Sequence, residues 1–254
     1  MAGPSTKFIE TAKKHGFLFI YLDNPGKLNA LTTQSLKELK AAVDAAGKAK
    51  DVKGIIITGK GKAFCSGSDL RELASLDAKE AFKRSMQGQE AFFAVENSPK
   101  PTLALIHGYC LGGGNELAMA CDYRVASEDS VLGQPEARFG MIPGFGGTYR
   151  LPRLVGADTA RFLISTGKQL TARQALMAHL VDDAVPTASL EWDGMVFLQH
   201  AIENHHVSKA KKSHKIPLKS QSKLARLEAT EFSKLFKTGK PQRRVKEFLK
   251  TKSK

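Results

Sequence analysis

The stretch PTLALIHGYCLGGGNELAMA, Pro101 to Ala120, decides the fold. Pro101 to Ile106 is a short apolar run opened by proline, the composition of a strand buried on both faces. Gly108 and the triplet Gly112, Gly113 and Gly114 mark a turn, and Asn115 to Ala120 begins a helix. Tyr123 to Ser127 (YRVAS) reads as the next strand, so strand, glycine turn, helix and strand follow in the order of an α/β protein.

The same alternation appears upstream. Phe17 to Leu22 (FLFIYL) and Gly54 to Thr58 (GIIIT) are β-branched or aromatic runs bounded by Gly, Asp and Pro. Between them Leu36, Leu39, Val43 and Ala46 recur at helical spacing from a start at Thr32 or Thr33, with Gly47 as the expected stop. This is a crossover unit joining two strands. Asp77 to Glu96, Asp158 to Ser165 and Ala172 to Leu180 are read as helices. The expected organisation is an α/β core over residues 1–200 and a basic helical region over residues 201–254.

Composition narrows the class. A chain of 254 residues, 42% hydrophobic and 25% charged, excludes a disordered or collagenous protein. No apolar run approaches the roughly 20 residues of a membrane-spanning helix. Cys65, Cys110 and Cys121 lack CxxC spacing and read as reduced, buried thiols. Met1 to Glu10 has no leader-like character and the final Thr251 to Lys254 is not a peroxisomal address, so a cytoplasmic location is expected. The formal charge is +14, and sixteen Lys or Arg stand against three acids from His205 onward, so nearly all the excess lies there. Such asymmetry fits a solvated lysine-rich face, a surface for phosphate on a ligand, or a nucleic-acid contact.

The chemistry-bearing residues cluster around glycine. The loops near Gly67, Gly112 to Gly114 and Gly144 to Gly147 lack the Walker and dinucleotide spacings, which argues against a nucleotide-binding enzyme. They offer backbone N–H groups at helix starts, where developing negative charge is favoured. Glu116 follows the triple glycine as either a helix-dipole partner or a catalytic group, and Glu136 precedes another glycine-rich loop. Two carboxyls beside such a pocket permit acid–base work on water if one is protonated and one ionised. The seven histidines show no metal-ligand spacing.

Four ordered motifs carry a family resemblance: Gly61 to Leu70 (GKAFCSGSDL), Ile106 to Ala118 (IHGYCLGGGNELA), Gly133 to Glu136 (GQPE), and Ile142 to Thr148 (IPGFGGT). Together with Asn24-Pro25 and Leu28 to Leu31, they make residues 16 to 185 resemble the enoyl-CoA hydratase (crotonase) family. The resemblance implies a crotonase-like spiral of ββα units with a C-terminal α-helical trimerisation region. It assigns Glu116 and Glu136 as the catalytic glutamates and the backbone N–H groups of Ser68 and Gly113 as the oxyanion hole. Ala63, Ser66, Asp69, Leu70, Arg71, Lys27 and Gly144 then fall around the acyl-CoA substrate.

The implied activity is reversible syn addition of water to a short-chain trans-2-enoyl-CoA, or the reverse 3-hydroxyacyl-CoA dehydration on crotonyl-CoA or 3-hydroxypropionyl-CoA type substrates. No cofactor is implied beyond the coenzyme A of the substrate. The implied partners are the acyl-CoA thioester and further copies of the chain, as trimers or dimers of trimers, with no membrane. A Δ3,Δ2-enoyl-CoA isomerase is the alternative enzyme, disfavoured by two glutamates. An RNA-binding protein on the same fold is the alternative of another class, supported by the basic end alone. Tyr149 and His179 depart from the family pattern, which commonly has Gln and Gly at these places.

Overall fold

The computed structural model describes residues 7–204 and 217–252. Two β-sheets organise it. The larger is built from β1 (Ile9–Lys14), β2 (Phe17–Leu22), β3 (Gly54–Gly59), β4 (Thr102–Ile106), β6 (Tyr123–Ser127) and β9 (Asp183–Val185), in the order β1-β2-β3-β4-β6-β9. Only β1 is antiparallel to its neighbour, and it caps the edge of an otherwise parallel sheet. The smaller holds β5 (Tyr109–Leu111), β7 (Val131–Gly133) and β8 (Gln169–Thr171) in the order β5-β7-β8.

Between β4 and β7 the chain passes from the large sheet to the small one, through a helix, and back again: β4, β5, α4 (Gly113–Ala120), β6, β7. Each turn of this spiral is two strands and a helix, which is the architecture the motifs implied. The remaining helices are α1 (Thr33–Lys48), α2 (Leu70–Leu73), α3 (Ala78–Glu96), α5 (Gly147–Val155), α6 (Ala157–Thr166), α7 (Ala172–Met177), α8 (Leu190–Glu203), α9 (Leu218–Phe236) and α10 (Lys240–Lys252).

Period-two alternation explains why the central strands are apolar throughout. Ile55, Ile57, Ala104 and Ile106 enter the main core with residues of α1, α3 and α4, while Ile56, Leu103 and Leu105 point to the opposite face, covered by Leu190, Met195 and Leu198 of α8. Helix α1 starts at a capping box, with the Thr32 side chain accepting from the Ser35 N–H and the Ser35 hydroxyl accepting from the Thr32 N–H. Gly47 does not stop α1, which runs on to Lys48; a Cβ there would lie 3.0 Å from Pro99. All three cysteines are buried and free.

The helix expected over Ala172 to Leu180 ends at Met177 because His179 adopts φ 59°. The Leu180 N–H donates to the Ala175 carbonyl and the His179 N–H to that of Leu176, a Schellman ending with histidine at the left-handed position that glycine usually fills. The family-like Gly that His179 replaces is thus a backbone position, and the imidazole has no part in the cavity described below.

Helix α9 packs along α3, and a third apolar cluster joins Phe232, Phe236 and Val245 to Leu73, Ala81 and Met141. The described part of the basic C-terminal region therefore shares a core with the α/β body. Among the described residues no helix is long and apolar enough to cross a membrane.

Candidate active site

A cavity of about 1030 Å³ opens where four parts of the chain converge. They are the loop from Gly26 to Ala30, the loop from Ser66 into α2, the β5-to-α4 glycine turn, and the 3-10 turn Pro135–Phe139 with the segment after it. Phe232 from α9 and Arg244, Phe248 and Leu249 from α10 complete the wall.

Two backbone donors, those of Ser68 and Gly113, belong to residues bordering this space and are left by the local geometry without a partner among the described residues. Leu31 and Ser68 form a parallel bridge in which Leu31 N–H donates to the Gly67 carbonyl and Asp69 N–H donates to the Leu31 carbonyl. Successive N–H groups of an extended segment point to opposite sides, so the Ser68 N–H is directed away from Leu31. Gly113 is the first residue of α4, where helical geometry provides no intrahelical acceptor for its N–H. Gly67, at φ 106°, brings the two loops together, since a Cβ on it would lie 3.5 Å from the Gly113 nitrogen. Ser68 and Gly113 both line the cavity.

The carboxyls are held in contrasting ways. Glu116 Oε1 accepts from the N–H groups of Phe145 and Gly147, each at 2.7 Å. Glu136 Oε2 is closed off from solvent and has no protein hydrogen-bond partner. Burial pushes the Glu116 carboxyl well above the ordinary range, with the nearby charges of Glu136 and Glu228 adding to the effect and its two N–H donors opposing it. Burial likewise pushes Glu136 up to about 8. Coupled groups of this kind release protons as a unit. The two N–H donors on Glu116 favour its ionised form, whereas Glu136 Oε2 has none.

Glycine is required where the carboxyls approach the backbone. A Cβ on Gly112 would stand 3.0 Å from Glu136 Oε1, and one on Gly147 would stand 3.0 Å from Glu116 Oε1. The donor-bearing Phe145 is fixed in turn: its ring meets Phe92 edge-on at 5.6 Å, the Arg84 guanidinium lies 5.1 Å from its centroid, and its carbonyl accepts from Arg150 Nη1 at 2.8 Å.

Of the residues singled out in the sequence, Lys27, Ser66, Ser68, Asp69, Leu70, Arg71, Gly113, Glu116, Glu136 and Gly144 all line the cavity. Ala63 does not. It is fully buried, bridged to Gly108, and its carbonyl accepts from Asn29 Nδ2, so it braces the loop from behind. Tyr149, at a family departure, is buried with its hydroxyl donating to Gln89 Oε1 at 2.7 Å. Sequence reasoning passed over Met141, Phe145, Arg138, Arg244, Phe232 and Phe248 as lining residues. It also passed over Glu228, whose one available signal was an acid in a strongly basic helix.

Comparison with known proteins agrees with this geometry. The enoyl-CoA hydratase/isomerase family model matches residues 12–254. An enoyl-CoA hydratase structure from Thermoplasma volcanium is 32% identical with a TM-score of 0.77, covering 97% of each chain. One from Bacillus halodurans is 27% identical with a TM-score of 0.84, covering 95% of this chain and 100% of that one. One from Bacillus anthracis is 30% identical with a TM-score of 0.76, covering 87% and 89% respectively. The spiral fold and the cavity define a crotonase-type protein. The chain belongs to the enoyl-CoA hydratase/isomerase family, whose members act on CoA thioesters.

Proposed function

We propose that this chain is an enoyl-CoA hydratase, adding water reversibly to a short-chain trans-2-enoyl-CoA to give the 3-hydroxyacyl-CoA. The observation that carries the reading is the placement of Glu116 and Glu136 on one cavity, unequally supplied with hydrogen-bond donors, beside the N–H groups of Ser68 and Gly113.

The thioester oxygen accepts from the Ser68 and Gly113 N–H groups. Ionised Glu116 takes a proton from water as the oxygen bonds to the β-carbon, and the electron pair of the double bond moves onto the thioester as an enolate. Charge grows on the oxygen where the two donors and the α4 N-terminus stabilise it. Protonated Glu136 delivers its proton to the α-carbon, and the enolate collapses to the saturated thioester. Dehydration runs the same steps backwards with the roles of the two carboxyls exchanged.

The walls suit such a substrate. Lys27, Arg71, Arg138 and Arg244 bring positive charge to the lining, as the phosphates of coenzyme A require. Leu73, Met141, Phe145 and Phe232 offer an apolar end, and the clamped Phe145 ring favours a short acyl chain. The reading includes trimers or dimers of trimers acting in the cytoplasm, with no cofactor beyond the coenzyme A of the substrate.

The test follows the ultraviolet absorbance of crotonyl-CoA with the purified chain and with Glu116→Ala and Glu136→Ala. The conjugated band should disappear with the parent protein, and each variant should lose about 10²- to 10⁴-fold in kcat. Conversion of the Δ3 isomer without hydration, dependent on one glutamate only, would replace this reading with an isomerase.

A further inference from the structure

A third buried carboxyl stands behind the pair. Glu228 projects from α9, more than eighty residues beyond the start of the glycine loop in sequence, and is 3% exposed. Its Oε1 accepts from the Gly146 N–H at 2.6 Å, and its Oε2 accepts from the Thr148 N–H at 2.9 Å and from the Thr148 hydroxyl. Glu116 takes the Phe145 and Gly147 N–H groups of the same segment. Four successive backbone donors, 145 to 148, are thus dealt alternately to two carboxyls on opposite sides of one loop.

We propose that Glu228 is a positioning residue for the hydration reaction: by holding the Gly146 and Thr148 donors, it presents the alternate Phe145 and Gly147 donors to Glu116 and fixes where that carboxylate meets water. This inference rests on the hydratase reading above. The Ser85 hydroxyl on the Gly144 carbonyl and Arg150 Nη1 on the Phe145 carbonyl hold the loop through its acceptors, while Glu116 and Glu228 are the side chains that take its four N–H groups. Gly146 sits at φ 111° and Gly144 and Gly147 flank it, so the backbone itself restrains little. Phe232 lies one turn beyond Glu228 on α9 and lines the cavity, so the helix that holds the loop also forms the wall beside it.

The position has an electrostatic consequence. The charged and titratable groups around Glu228 are Arg150 and Tyr149 from α5, Glu116 from α4, Glu136 from the 3-10 turn, and Glu96 of α3 through its pair with Arg150. Burial pushes the Glu228 carboxyl up to about 7, with the Thr148 and Gly146 donors and the Arg150 charge opposing it. A negative charge there makes ionisation of both catalytic carboxyls harder.

Glu228→Gln keeps the volume and one acceptor but turns an NH₂ group toward a backbone or hydroxyl donor. The expected result is a kcat for crotonyl-CoA reduced at least about tenfold with KM changed less than about threefold, the pattern of a lost transition-state arrangement. With the negative charge gone, the limbs of the kcat profile and the ¹³C-carboxyl NMR titrations of Glu116 and Glu136 should move to lower pH. Glu228→Asp, which retains the charge, should return the titrations toward the parent values while leaving kcat low.

Unchanged titrations and kcat in a folded Glu228→Gln protein would overturn the inference, as would a fall in Tm with neither moved. If Glu228→Gln does not fold, Thr148→Val removes only the hydroxyl donor. The Glu228 carboxyl should then titrate at higher pH and kcat should fall, and no change in either overturns the proposal. The titrations need no substrate, so a parent protein silent on crotonyl-CoA would defeat the hydratase reading separately.

Discussion

Helices α4 and α5 both begin in glycine, at Gly112-Gly113-Gly114 and Gly146-Gly147, and both first residues lie near the same cavity. Their N-termini are put to opposite uses. At α5 the loop and first-turn N–H groups are taken up by Glu116 and Glu228. At α4 Gly113 lines the cavity together with Ser68, and its N–H has no acceptor within the helix. One helix start is filled by the protein's own carboxyls, while the other borders the cavity and, in the hydratase reading, is left for the negative charge of a substrate. The difference lies in which long-range side chains reach each end, not in the glycines.

Substitutions that exchange the two roles should break this contrast, and the largest effect belongs at α4. Gly113→Pro deletes the N–H at a position where helices tolerate proline, and kcat for crotonyl-CoA should fall about 10²- to 10³-fold. Gly113→Ala is its control, retaining the N–H while placing a Cβ 3.2 Å from Phe145, so the ratio of the two variants isolates the donor. Equal losses would show that the donor is not what matters at this helix start.

At α5 the expected loss is in stability. Gly147→Ala would put a Cβ against the Gln134 side-chain amide and 2.6 Å from Pro143, as well as against Glu116. Overpacking of that kind costs about 1 to 3 kcal/mol, to be read from denaturant midpoints. The smallest effect concerns the proton on Glu136. Its folded-state pKa of about 8 lies above the ordinary carboxyl value, so between the two the folded protein binds more protons and stability falls as pH rises. Glu136→Gln removes this contribution, and its Tm should decline less than that of the parent from pH 5 to pH 8.

How far the sequence is legible follows from the range of the contacts. Strands such as FLFIYL and GIIIT declare themselves because both faces are buried and every residue is apolar or small. The three-residue strands β5, β7, β8 and β9 are too short for any period to show, and β5 is hidden inside the glycine turn. The pair Glu116 and Glu136 is legible because each sits within a local glycine motif. Glu228 is not, because its partners are about eighty residues away and an acid in a helix that also carries Lys219, Lys223, Arg226, Glu231 and Lys234 reads as solvated surface. The amphipathic pattern of α10 foretells a helix without saying what it covers. Arg244 reaches the carbonyls of Ala137 and Arg138, and Phe248 meets Phe139 edge-on at 5.4 Å.

The placement of α9 and α10 has a consequence for biosynthesis. Both helices follow every described strand in the chain, so vectorial translation, at roughly 5–20 residues per second, delivers both sheets before Glu228, Phe232, Arg244 and Phe248 exist. The glycine loop leaves the ribosome with half of its donors lacking their eventual acceptor. A message cut short after β9 would therefore lack the residues that finish the cavity wall and hold the alternate donors of that loop.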